Sequence, residues 1–208
     1  MIIRQLGRVD YQVTWDQMRA FTDARTPDTE DELWVCEHAP VFTQGVAGKP
    51  EHLLINPLSI PVVKTDRGGQ ITYHGPGQAM VYVLFNLKRA GYGVREMVLR
   101  IENAVIEVLA ARNIKAYGKR DAPGVYVKRG MQEAKIAALG LKVRNGCTYH
   151  GVAFNVNMDL TPFSFINPCG FENLRVTHLH ELDVSLTLEQ ASMRLAEALQ
   201  RQLTLPAK

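Results

Sequence analysis

The chain has 208 residues, enough for one domain to bury a core of its own without disulfides or metal. Apolar residues make up 46% and charged residues 22%, which excludes wholesale disorder, and a formal net charge of +3 is too small to imply nucleic acid. The longest apolar stretches, such as Met80 to Phe85, are too short to cross a bilayer, and Met1 to Arg8 lacks the features of a secretion signal, so a cytoplasmic location is expected.

In chain order, Asp10 is placed to cap a first helix, in which Tyr11, Trp15 and Met18 recur at helical spacing before a polar loop from Asp23 to Asp31. Leu33 to Glu37 reads as a buried strand. After a loop from Val46 to Pro57, short strands are predicted at Pro61 to Lys64, Gln70 to His74 and Met80 to Leu87. Val98, Ile101, Val105 and Leu109 then form one apolar helical stripe that Asn113 can end. Strands follow at Gly124 to Val127, Lys135 to Val143 and Tyr149 to Asn157, the last two joined by the turn Arg144-Asn145-Gly146-Cys147. A closing helix starts at the capping box Thr187-Leu188-Glu189-Gln190 and runs through Ala191, Leu195 and Leu199. Strand runs with few helices between them predict an α+β fold, a mainly antiparallel sheet with flanking helices. A parallel sheet would need a helix in almost every crossover.

The densest motif is Arg67-Gly68-Gly69-Gln70-Ile71-Thr72-Tyr73-His74-Gly75-Pro76-Gly77-Gln78. Its glycines allow unusual backbone angles and close approach to a ligand, and Pro76 stiffens the exit. A hairpin with Gly-rich turns is the plain explanation. The number of hydrogen-bonding side chains set between the glycines favours a loop shaped around something bound.

Cys36, Cys147 and Cys169 are odd in number and show no paired spacing, so a disulfide framework is not expected. Cys36 sits in the apolar run Leu33-Trp34-Val35-Cys36 and reads as a small, inert hydrophobe, whereas Cys147, at a turn, is expected to be half exposed. Cys169 differs, because Ile166-Asn167-Pro168-Cys169-Gly170-Phe171 holds its sulfur in a non-periodic loop fixed by Pro and Gly. Such a loop can present a nucleophile, or can carry a cysteine of no consequence. Lys135 stands alone in the apolar, small-residue run Ala134-Lys135-Ile136-Ala137-Ala138-Leu139-Gly140. It is either a snorkelling lysine or a partly desolvated ammonium. Beside a thiol such an ammonium has a use, since a thiol of pKa about 8.5 is only a few per cent ionised at neutral pH and a positive neighbour raises that fraction.

Asn113 to His150 holds eight Lys/Arg against Asp121 and Glu133, a local excess of +6 that fits either a solvated hairpin face or a surface for an acidic protein partner. Among the histidines, Cys147 with His150 and His178 with His180 are the close spacings, with no CxxC or HExxH, so no metal is expected. There is no Gly-x-Ser-x-Gly elbow for a serine hydrolase and no Walker loop for ATP.

Taken together, six motifs resemble the lipoyl(octanoyl) transferases over nearly the whole chain. They are Glu37 to Gly45, Arg67 to Gln78, Arg120 to Val127, Lys135-Ile136-Ala137, Tyr149 to Asn157 and Asn167-Pro168-Cys169-Gly170, in family order. The resemblance implies one catalytic domain over residues 1–208, with the fold of the biotin and lipoate protein ligases. It implies that Cys169 carries the acyl group and Lys135 tunes it. It assigns acyl-substrate contacts to Arg67, Gly68, Gly69, Gln70, Ile71, Thr72, Tyr73 and His74, to Ala138, Leu139 and Gly140, and to Gly151, Val152 and Ala153. The chain departs from the family at Ala138, often Ser, and at Val83, often Pro. No cofactor is implied. The implied partners are octanoyl-acyl carrier protein as donor and, as acceptors, the lipoyl domains of 2-oxoacid dehydrogenase complexes and of the glycine cleavage system, served by a monomer that binds neither nucleic acid nor membrane. The implied reaction is a two-step acyl transfer, with backbone N–H groups near Gly170 or from Gly75 to Gly77 as candidate oxyanion donors. Its rivals are an ATP-dependent ligase on the same scaffold and a non-catalytic acyl-binding module.

Overall fold

A computed structural model of the chain describes residues 1–130, 132–168 and 174–206. Its elements run β1 (Ile2–Val9), α1 (Tyr11–Asp23), β2 (Glu32–His38), β3 (Val41–Gln44), β4 (Val62–Lys64), β5 (Ile71–His74), β6 (Gln78–Asn86), α2 (Leu87–Ala90), α3 (Val94–Ala110), β7 (Ala116–Gly118), β8 (Gly124–Arg129), β9 (Gln132–Arg144), β10 (Cys147–Asn155) and α4 (Leu188–Thr204). Among the described residues, seven strands form a main sheet in the order β1-β2-β6-β10-β9-β8-β7, and three form a small one in the order β4-β3-β5. Most neighbours are antiparallel, but β1 with β2 and β3 with β4 are parallel. The α+β expectation therefore holds. Strands β1, β3 and β7 were not anticipated.

Local chemistry explains the element ends. The Asp10 carboxylate accepts the Val13 N–H at 2.9 Å and so starts α1. The capping box of α4 forms as expected, Gln190 N–H donating to Thr187 Oγ1 and Thr187 N–H to Gln190 Oε1. Cys147 corrects its prediction: it opens β10 opposite Asn86 and is 5% exposed, because the turn closes one residue earlier.

The main sheet is buried on both faces. On one face Val81, Val83, Phe85, Val152 and Phe154 pack against α3 and α4. On the other, Trp34, Cys36, Met80, Tyr82, Leu84 and Ala153 meet Met18 of α1. The small sheet carries a third cluster, in which Phe42, Ile71 and Tyr73 pack with Phe163, Phe165 and Ile166. Between the second face and the small sheet lies the cleft.

Candidate active site

The cleft holds about 480 Å³ of empty space, its mouth included. Its floor is the main sheet, where Ala138 and Gly140 of β9, Gly151 and Ala153 of β10 and Met80 and Tyr82 of β6 stand in cross-strand rows. Small side chains on adjacent strands leave a trough, and larger ones would fill it. Two glycines are required by backbone neighbours. A Cβ on Gly140 would stand 2.9 Å from Gly68 O, and one on Gly151 would stand 2.1 Å from Val81 O.

The roof is the glycine-framed loop and β5. Gly68 N–H donates to Leu141 O at 2.9 Å, which lays the loop over β9. Arg67 fixes its shape: Nε donates to Thr43 Oγ1 at 3.1 Å, Nη1 to Gly68 O at 2.9 Å and Nη2 to Gln70 O at 2.7 Å. Thr43 Oγ1 also meets His74 Nε2 at 3.1 Å, while His74 Nδ1–H donates to Gln78 Oε1 at 2.8 Å. Gln78 Nε2 donates on to Asn155 Oδ1 at 2.9 Å, and Asn155 Nδ2 to Thr177 O at 2.9 Å. This buried chain ties the roof loop to the strands beneath and specifies one arrangement of each partner.

Of the residues expected at the acyl group, all but Gly68, Tyr73 and Val152 line the cleft. Gly68 is tied to β9 through its backbone. Tyr73 points into the cluster of Phe42 and Phe163, and Val152 faces the core on the far side of the sheet. For Tyr73 and Val152 strand alternation is the reason, since the residues on either side of them, Thr72 and His74 and Gly151 and Ala153, are the ones that reach the cleft.

Sequence reasoning missed Tyr11, Met80, Tyr82 and His150 in the lining of the cleft. His150 was weighed there only as a metal ligand. It has φ of +59°, uncommon for a residue with a side chain, within a strand. Its Nε2–H donates to Asp66 Oδ1 at 2.9 Å, and Trp15 Nε1 and the Tyr149 hydroxyl also donate to that carboxylate. Burial raises the Asp66 carboxyl, but these hydrogen bonds outweigh it and hold the group well below the usual carboxylate range. Burial also pushes His150 and His38 down, takes His74 to about 3 and lifts Tyr11 to about 12. Burial therefore favours the uncharged forms of the Tyr11, His74 and His150 rings in the lining.

Lys135 lies at the near end of β9, 3% exposed. A bulge opposite Val125 and Tyr126 turns both Ile136 and Ala137 into the core, which leaves Lys135 on the same side of the strand as Ala138. Its Nζ donates to Pro123 O at 3.1 Å and stands 5.2 Å from the centre of the Tyr126 ring. Its backbone pairs with the returning chain, the N–H donating to Arg175 O at 2.8 Å and the carbonyl accepting from Thr177 N–H at 3.0 Å. Cys169 and Gly170 lie outside the described residues. The chain just before them is anchored, Asn167 N–H donating to His52 O at 2.8 Å. Gly77 is not a suitable oxyanion donor, because its N–H is committed to Glu37 Oε1 at 2.7 Å.

Residues 10–200 match the model of the lipoyl protein ligase A/B catalytic domain. An octanoyltransferase of Chromobacterium violaceum is 61% identical over 203 residues, covering 98% of this chain and 96% of that protein. A bipartite lipoate protein ligase of Thermoplasma acidophilum superposes with a TM-score of 0.76 at 16% identity, over 100% of this chain and 84% of its own. The biotin protein ligase of Aquifex aeolicus, in complex with biotin and ATP, superposes with a TM-score of 0.61 at 15% identity, over 97% of this chain and 69% of its own. By the length and level of these matches, the chain belongs to the lipoyl protein ligase A/B catalytic-domain family.

Proposed function

We propose that this chain is an octanoyltransferase of protein lipoylation, taking an octanoyl group from acyl carrier protein onto the thiol of Cys169 and passing it to a lysine ε-amine on a lipoyl-acceptor domain. The observation that supports the reading is the small-residue trough along β9 and β10, with Lys135 buried on the same side of β9 as Ala138 in that trough.

In the first step the Cys169 thiolate attacks the thioester carbonyl of the donor. The tetrahedral intermediate collapses, and the carrier's thiolate leaves and takes up a proton. An ammonium beside the sulfur favours the ionised thiol, so the nucleophile is available at neutral pH. Acylation removes the negative charge that kept Lys135 protonated; once its ammonium has given a proton to the departing carrier thiolate, the neutral Lys135 amine can accept the proton that the incoming acceptor amine must lose, which restores the ammonium. That amine attacks the acyl-enzyme, the Cys169 thiolate departs, and a stable amide remains. Burying the eight-carbon chain in the trough contributes roughly 0.8 kcal/mol per methylene, enough for chain length to matter. The acceptors are lipoyl domains of 2-oxoacid dehydrogenase complexes and of the glycine cleavage system, and the catalyst is a monomeric single domain in the cytoplasm.

Intact-protein mass spectrometry after mixing with octanoyl-acyl carrier protein tests the reading. The expected result is an acyl mass gain on the wild type that Cys169→Ser loses and Lys135→Ala slows. Amide formed from free octanoate and ATP without any carrier would overturn it in favour of ligase chemistry.

A further inference from the structure

Glu102 of α3 lies beside Ile101, Ala104 and Val105 on a helix packed against the main sheet, and is 4% exposed. A buried carboxylate is costly unless something holds it. Its Oε1 accepts the backbone N–H of Gly124 at 2.9 Å. The carbonyl of that same peptide unit, Pro123 O, accepts a hydrogen bond from Lys135 Nζ at 3.1 Å. Carboxylate, amide and ammonium therefore stand in series across one planar peptide group. The amide dipole is aligned with both charges, its positive end on Glu102 and its negative end on Lys135.

The surroundings are shaped for this series. A Cβ on Gly118 would stand 2.5 Å from Glu102 Oε2, so the carboxylate occupies the space a side chain would take. A Cβ on Gly124, whose φ is +142°, would stand 2.7 Å from Lys135 Cε and 3.1 Å from Nζ. One glycine admits the carboxylate and the other admits the amine. Burial raises the Glu102 carboxyl, while the Gly124 hydrogen bond and the charge of Lys135 pull it back.

We propose that Glu102 is a positioning residue for Lys135, acting through the Pro123–Gly124 peptide, which it orients and polarises so that the carbonyl holds the ammonium in place. This rests on the reading of Lys135 as the partner of the Cys169 thiol. Glu102→Gln keeps the shape and can still accept the Gly124 N–H, but it removes the charge that strengthens the carbonyl as an acceptor. Lys135 then keeps its burial but is held less firmly at Pro123 O.

The test is a double-mutant cycle on transfer from octanoyl-acyl carrier protein to an apo lipoyl domain. Wild type, Glu102→Gln, Lys135→Met and the double variant are compared in kcat and in KM for the donor, with thermal melting of each. Glu102→Gln is expected to lower kcat about 10-fold at unchanged donor KM, and to have no further effect once Lys135 is Met. Equal proportional losses in both backgrounds, or a wild-type kcat in Glu102→Gln, overturn the proposal. A wild-type kcat in Lys135→Met overturns the reading of Lys135 itself, and the proposal with it. Should Glu102→Gln melt early, Glu102→Asp takes its place in the cycle, since the shorter side chain keeps the charge but withdraws from Gly124. Non-additivity with Lys135→Met then supports the proposal, and additivity overturns it.

Discussion

Adjacent residues of β10 show how narrowly single positions are fixed around the cleft. At Gly151 a Cβ would stand 2.1 Å from Val81 O and 2.9 Å from Tyr82 Cα, both backbone atoms of β6. A side chain end can swing away, but a paired strand cannot without breaking its ladder. Gly151→Ala is therefore expected to destabilise the protein by about 1–3 kcal/mol, read from the urea midpoint, and to reduce transfer by pinching the floor. An unchanged midpoint would show that β6 yields at little cost. Much at this scale was legible in the sequence. Lys135 stands out as one ammonium in an apolar run, and the resemblance points to Ala138 to Gly140, Gly151 and Ala153, which line the cleft, but equally to Val152, which faces the core. The role of His150 was not legible, because neither its positive φ nor its pairing with Asp66 leaves a trace in local spacing. The two residues are far apart in sequence and meet only through the fold.

Elements repeat the lesson at larger size. Stripes and caps predicted α1, α3 and α4, whereas β1 escaped, because as an edge strand it is only half covered and a bulge at Leu6 interrupts its pairing with β2. Its parallel pairing is possible because α1 supplies the crossover. The β9 bulge was equally hidden. Alternation read straight through Lys135 to Leu139 would place Lys135 and Ala138 on opposite sides, and one extra residue puts them together. The positive excess between Asn113 and His150 also changes once folded, since Lys119 pairs with Glu133, Arg144 with Asp23, and Lys135 is buried. Helix α1 carries Tyr11 into the cleft wall directly after its cap, so the cap matters to the site as well as to the helix. Asp10→Ala leaves the Val13 N–H without its acceptor and is expected to lower stability by about 1 kcal/mol in denaturant melts. Substitution by Asn, which can still accept that hydrogen bond, should recover most of the loss.

For the whole molecule, the layering of α3 and α4, main sheet, and α1 with the small sheet buries a set of ring groups at the cleft. Burial holds His74 at about 3, against 6.5 for an ordinary histidine, and lowers His38 and His150 as well. The unfolded chain takes up protons that the folded one refuses, so stability is full above about pH 6.5 and falls as the pH drops toward the folded values. For His74 alone, moving from pH 7 to pH 5 is expected to remove about 2 kcal/mol, with His38 and His150 adding in the same direction. Asp66 acts later. Its lowered value means that its contribution persists until the pH passes below the ordinary carboxylate range. Urea denaturation across pH 5 to 7 checks the slope, and His74→Gln, which cannot take up a proton, should flatten it by about the His74 share. A slope unchanged in that variant would mean that water reaches the ring in the folded state and that the cleft wall is wetter than its packing indicates.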